Sequence, residues 1–175
     1  AGQPQRALVI FQEALAIFQD IGNRQGKAYA LIGIGRAYRQ LGNASLALPP
    51  YQEALPIFIS IGDRAGERIA LSGIGSAYNS LGQYEAAIAQ YERALEISVD
   101  VGDRQDEGTT LNNIGTVYNA LGQYGQSLSF LEQALTIRSE IDDTVGIAET
   151  LSNIAAVNIN LSQYEQALAL YEQVL

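Results

Sequence analysis

Displaced by 40 residues, the chain falls onto itself without a gap. Segments starting at Leu41, Leu81, Leu121 and Leu161 read LGNASLALPPYQEALPIF, LGQYEAAIAQYERALEIS, LGQYGQSLSFLEQALTIR and LSQYEQALALYEQVL, and AGQPQRALVIFQEALAIF opens the chain as a further copy. A repeat of this length marks a stacked architecture, because one such unit cannot bury its own apolar face and needs a neighbour to cover it. The register divides the chain into a partial repeat at 1–22, repeats at 23–62, 63–102 and 103–142, and a truncated one at 143–175, all in a single array.

Inside each period the apolar residues recur at helical spacing, as in Leu31, Ile34, Tyr38 and Leu41, and again in Ala47, Tyr51, Ala54, Leu55 and Phe58. The pattern predicts two helices per repeat. Helix A covers about 24–41, 64–81, 104–121 and 144–161, helix B about 44–60, 84–100, 124–140 and 164–175, and an initial B-type helix lies at about 4–20. Gly42, Gly82 and Gly122 follow the last apolar residue of an A helix, and Gly22, Gly62 and Gly102 that of a B helix. A left-handed residue there satisfies the terminal carbonyls. Asn23, Asp63, Asp103 and Asp143 then stand where a side chain can cap the next helix.

Small residues recur where two helices must approach: Gly35, Gly75, Gly115 and Ala155 on A, and Ala14, Ala54, Ala94 and Ala134 on B. Bulky residues recur beside them at Phe11, Tyr51, Tyr91, Leu131 and Tyr171. Two departures stand out. Pro49, Pro50 and Pro56 fall inside one B helix and are expected to kink it. In the last repeat Ala155, Asn158 and Ser162 replace Gly, Tyr and Gly, which predicts looser packing.

The set Leu111, Ile114, Gly115, Tyr118, Ser127, Leu131 and Ala134 resembles the tetratricopeptide repeat signature of a large residue, Leu, Gly and Tyr followed by Ala, an aromatic and Ala, with Ser and Leu at two places. The 40-residue form resembles the longer repeats of kinesin light chains, the Pins cell-polarity adaptors and bacterial multidomain signalling proteins. The resemblance implies an all-α solenoid of about nine antiparallel helices in a right-handed superhelix, a concave groove lined by the A helices, and a protein-interaction role.

Composition removes most other functions. There is no Cys and no His, so thiolate chemistry, disulfides and the commonest general base and metal ligand are absent. No catalytic group, cofactor or metal is expected. The net charge of −9 is uneven, +2 over residues 1–80 and −11 over 81–175, which argues against nucleic acid. No apolar run is long enough to span a membrane, and nothing suggests secretion, so a cytoplasmic location is expected. The lack of Met and the repeat phase suggest a piece of a longer protein. Gly33-Ile34-Gly35 lies in mid-helix with no preceding strand, so close packing explains it better than a dinucleotide loop. Asp106-Glu107 and Asp142-Asp143 sit at helix starts, where capping explains them.

Once Leu31, Ile34, Gly35 and Tyr38 are committed to packing, a second stripe of helix A remains at 29, 32, 33, 36, 39, 40 and their equivalents. Six of the nine asparagines lie on it: Asn79, Asn112, Asn113, Asn119, Asn153 and Asn160. Asparagine is a poor helix-interior residue, so the enrichment needs a cause. A carboxamide that donates and accepts suits the backbone of an extended peptide; a crowded inner face that favours short polar side chains is the other explanation. The candidate groove residues are Tyr29, Ile32, Arg36, Arg39, Ser72, Ser76, Asn79, Asn112, Asn113, Thr116, Asn119 and Asn153. The family's clamp for a peptide C-terminal carboxylate is poorly matched, since the relevant rows read Ile32, Ser72, Asn112, Ser152 and Arg36, Ser76, Thr116, Ala156, with no lysine. Two roles stay open: a scaffold holding a partner segment in the groove, or a spacer and self-association element pairing end to end through helices that bear residues such as Phe11 and Phe18.

Overall fold

A computed structural model describes residues 2–174. Among these the chain forms α1 (Gln3–Asp20), α2 (Arg24–Gln40), α3 (Ala44–Ile61), α4 (Arg64–Ser80), α5 (Tyr84–Val101), α6 (Arg104–Ala120), α7 (Tyr124–Glu140), α8 (Thr144–Asn160) and α9 (Tyr164–Val174), with no strand. The even-numbered helices are the A helices of the period. Every predicted element is present, with its ends within a residue or so of the expected positions, apart from Leu175, which lies outside the described residues.

Local chemistry sets these ends. Gly22, Gly42, Gly62, Gly82, Gly102 and Gly122 all adopt left-handed backbone. Each lets the next amide reach back to the helix, as when Asn43 N–H donates to Tyr38 O at 2.9 Å and Asp63 N–H to Phe58 O at 3.0 Å. The A helices then start on side-chain caps, with the Asn23, Asp63, Asp103 and Asp143 oxygens accepting from the amides of Gly26, Gly66, Asp106 and Gly146. The last two turns keep this geometry without glycine: Asp142 and Ser162 hold φ of 55° and 62°. A left-handed L-residue costs roughly 1–2 kcal/mol.

The chain divides into two compact units, 1–97 and 98–175. In the first, the core joins Leu31, Ile32, Tyr51, Ala54, Phe58, Ala70 and Ile74. Its centre is a wedge: the Tyr51 ring of α3 enters between glycines of two A helices. A Cβ at Gly35 would lie 2.7 Å from Tyr51 Cζ, and one at Gly73 2.5 Å from Tyr51 Cε1. Phe11 fills the same role against Gly33, Phe18 against Gly26 and Phe58 against Gly66. In the second unit Leu131, Ile154 and Val157 form the core, and Leu131 packs against Gly115. Ala155 is buried, while the Tyr171 expected to wedge against it is exposed.

α3 remains helical across Pro49, Pro50 and Pro56. The carbonyls deprived of a donor are those four residues earlier, on Ser45, Leu46 and Gln52, and all three residues are exposed. Water can satisfy them there, so the helix continues.

Arg138 occupies the period position of Phe18 and Phe58 and is buried, at 1% exposure. Its Nη1 donates to Gly146 O and Thr150 Oγ1, both at 2.6 Å, and Nη2 lies 3.1 Å from Glu149 Oε2. The guanidinium thus keeps charge-assisted partners at a position that is Phe in two repeats and Ser98 in a third.

Filling the wedge notch is expected to destabilise. Gly35→Ala must displace the Tyr51 ring and is expected to lower unfolding free energy by about 1–3 kcal/mol. Gly125→Ala, at an exposed helical site with open space around its Cβ, is expected to raise it by about 0.4–1 kcal/mol. Urea denaturation of the two variants checks both; a Gly35→Ala protein as stable as the parent would show that the notch is not tight.

Candidate functional site

The stripe left after the hairpin core is formed lies on α2 and α4 in the first unit and on α6 and α8 in the second. In the first unit Arg36 and Arg39 are exposed, and Ser72, Ser76 and Asn79 are half-buried. Tyr29 is 40% exposed, its ring edge-on to Phe58 at 4.9 Å and its hydroxyl donating to Asp63 Oδ2 at 3.0 Å. Gln25 Nε2 donates to the same oxygen at 3.2 Å. Asp63 therefore caps α4 with one oxygen and receives two α2 side chains with the other, tying consecutive A helices together.

Ile32 does not line an open face. At 3% exposure it belongs to the core with Leu31, Ala70 and Ile74, because position 32 turns toward the next A helix. Asn112, its equivalent on α6, is likewise 1% exposed and cannot reach a ligand. Its Oδ1 accepts from Asn153 Nδ2 on α8 at 2.9 Å. A second rung repeats the arrangement, with Asn160 Nδ2 donating to Asn119 Oδ1 at 2.9 Å. Four of the six stripe asparagines thus bond each other. The 41-residue offset, one period plus one residue, was visible in the sequence as two Asn pairs, yet nothing in the helical pattern says that those positions meet.

Asn113 is different. It is half-buried, and among the described residues its carboxamide makes no hydrogen bond, while its backbone carbonyl accepts from Thr116 Oγ1 at 2.7 Å. Asn79 of the first unit is also half-buried. The polar stripe residues not sealed in a core are thus Arg36, Arg39, Ser72 and Asn79 in the first unit and Asn113 and Thr116 in the second, while Ser76 bonds the buried Tyr91.

Electrostatics reinforce the joints between A helices. The Gly146 amide, then Gln105, then Arg138 hold the Asp143 carboxyl below the ordinary carboxylate value. Burial pushes the other way for Asp63, but the Gly66 amide, Tyr29 hydroxyl and Gln25 amide outweigh it and lower its pKa. Gln105 Nε2 reaches Asp143 Oδ2 at 2.9 Å, the counterpart of Gln25 and Asp63 one repeat pair earlier. Arg104 at the start of α6 bonds Glu107 at 2.8 Å and also Glu140 at the end of α7.

The sequence pattern of the tetratricopeptide repeat matches residues 1–60, 51–98, 66–140 and 106–175. The chain belongs to the tetratricopeptide repeat family. Solved structures resemble this repeat array over nearly its whole length. BtubC from P. vanneervenii superposes with a TM-score of 0.80 at 17% identity, covering 99% of this chain and 73% of that one. A putative kinesin light chain of Podosopora anserina with TPR-like repeats gives 0.77 at 19% identity, covering 99% and 86%. A Rap protein complexed with competence and sporulation factor gives 0.85 at 15% identity, covering 95% of this chain and 47% of that one. At these identities the likeness concerns the tetratricopeptide fold. No curated protein matches the chain in sequence. Among the described residues no helix is long and apolar enough to cross a membrane.

The asparagine rungs separate structural from exposed carboxamides. Asn153→Ala strands the buried Asn112 oxygen and is expected to cost about 1–3 kcal/mol, whereas Asn113→Ala is expected to stay within about 0.5 kcal/mol of the parent. Equal stabilities for the two variants would mean that the rung contributes nothing.

Acid sensitivity follows from the caps. A carboxyl whose folded pKa is depressed stabilises the fold at pH above its unfolded value near 3.9, and that stabilisation is lost as pH falls through the folded value. The Tm is therefore expected to fall as pH drops below about 4, and Asp143→Asn, which keeps a capping oxygen, is expected to flatten that fall. An unchanged slope in the variant would remove Asp143 as a cause.

Proposed function

We propose that the outward stripe of the A helices is a protein-recognition surface that receives an extended peptide segment. Tetratricopeptide repeats in general are non-enzymatic interaction scaffolds, and one of the structurally similar proteins is a Rap protein complexed with competence and sporulation factor. The observation that carries the reading is the polar side-chain set left accessible on the A helices: Arg36, Arg39, Ser72 and Asn79 in the first unit, and Asn113 and Thr116 in the second. Donors and acceptors fixed on packed helices can pair with a peptide backbone without first losing conformational freedom. The partner is a cytoplasmic protein, and neither membrane nor nucleic acid is involved.

A peptide display library panned against the chain tests this. For a selected peptide, Asn79→Ala with Asn113→Ala is expected to weaken binding at least about tenfold, or 1.4 kcal/mol, with Tm unchanged. Ala at Glu92 and Glu132, both exposed on B helices, is expected to leave binding alone. The opposite pattern would place the partner on the B helices.

Self-association is a second reading, favoured by the exposed Val9, Ile10 and Ile17 on α1, by Ile21 just after it, and by Tyr164 and Leu168 on α9. Light scattering from micromolar to near-millimolar protein decides it: a rising mass that Ile17→Glu suppresses supports pairing, and a constant monomer mass ends it.

A further inference from the structure

We propose that the α8–α9 hairpin is a detachable element of the second unit, which opens as one piece away from α6 and α7 and in opening parts the asparagine rungs. The proposal does not depend on what the stripe binds.

Both ends of α8 carry strain that the earlier repeats avoid. Asp142 before it and Ser162 after it take left-handed backbone, where the six turns preceding them use glycine. A side chain in that conformation costs stability at each turn. Rings are missing from the hairpin's packing as well. Asn158 stands at the period position of Tyr38, Tyr78 and Tyr118, and Tyr171, at the position of the wedge ring Tyr51, is exposed.

The seam between α7 and α8 is closed by Arg138. Ring and notch go together along the array: Phe18 packs against Gly26 and Phe58 against Gly66, and where the period has Ser98 it has Asp106 in place of the glycine. Gly146 keeps the notch, but a guanidinium fills it. A Cβ at Gly146 would lie 2.7 Å from Arg138 Nε, and that buried Nε has no hydrogen-bond partner among the described residues. Asp143 Oδ2 lies 3.8 Å from it. Nη2 reaches Glu149, whose side chain is 57% exposed, so water competes for that contact. A buried charge held this way gives little net stability, and an apolar side chain of similar size in its place is often as good or better.

The partners of α8 fix what opening does. Asn153 and Asn160 leave Asn112 and Asn119 of α6, and Leu131 of α7 parts from Ile154 and Val157. Beside Asn113, α6 then gains two carboxamides that the closed form holds in pairs. The hairpin is thus a device that changes how many donors and acceptors α6 presents.

The whole chain has no cysteine, so single thiols report opening. Val117 on α6 and Val157 on α8 occupy the same period position, and both are fully buried. Under native conditions Val157→Cys is expected to react with Ellman's reagent at least about tenfold faster than Val117→Cys, which corresponds to about 1.4 kcal/mol in opening free energy. Hydrogen exchange on the unmodified chain is expected to show α8 and α9 amides exchanging together and faster than those of α6 and α7, and it carries the test if a cysteine variant fails to fold. Arg138→Phe and Asp142→Gly are each expected to slow α8 and α9 about fivefold. Phe130→Ala, which removes the stacking of Phe130 on Tyr118 between α7 and α6, is expected to speed α6 and α7 and leave α8 and α9 as they were. Equal thiol rates, exchange that is fast in α9 alone, or α8 and α9 amides that follow α6 and α7 in every variant would overturn the proposal. So would an α8 rate that neither Arg138→Phe nor Asp142→Gly slows.

Discussion

The entry of a large side chain from a B helix into a notch of glycine on the A helices is the contact on which the rest of the array depends. Tyr51 between Gly35 and Gly73 is the fullest case, since one ring is gripped by two A helices. Close packing of this kind tolerates little change of volume, so it fixes how near α2 and α4 approach and which face of each is turned away from α3. The outward stripe is a by-product of that burial. Arg36 follows Gly35 directly, and Arg39 lies one turn beyond, so the core contact and the exposed cations are set by the same few residues.

The joints between successive A helices use polar contacts instead, and these have two jobs. Asp63 and Asp143 each cap a helix with one oxygen and accept from the preceding A helix with the other. A single carboxylate thereby sets both a helix start and a repeat spacing. The asparagine rungs between α6 and α8 extend this polar joint along the second unit. Arg138 belongs to the same logic: beside Gly146, in the place of a phenylalanine, it exchanges apolar burial for bonds to a backbone carbonyl, a hydroxyl and Glu149. A buried charge is retained at little net gain when well paired, and is costly to uncouple.

The helices, their ends and the glycine notches were legible in the sequence because each rests on local rules repeated several times over. Left-handed glycine, an Asx cap and a 3.6-residue stripe need no knowledge of distant contacts. The stripe itself was legible only as a direction. Ile32 and Asn112 lie at its edge, and whether an edge position meets solvent or the next A helix depends on the spacing between hairpins, which periodicity does not report. Arg138 was hidden for a related reason, since an arginine near a helix end reads as a surface charge unless its place in the period is compared with Phe18 and Phe58.

Asparagine enrichment shows how one compositional signal can carry two causes. Asn112, Asn119, Asn153 and Asn160 are consumed in pairing, so they argue for a crowded face, as short polar side chains would in any tightly stacked array. Asn113 shares their composition but not their contacts. Arg36 and Arg39 form no ion pair among the described residues, yet Arg39, in the last turn of α2, suits the helix dipole and bonds Tyr51. A residue that satisfies its neighbours is explained by the fold. On that criterion the four paired asparagines belong to the joint between α6 and α8, and composition alone does not mark a binding residue.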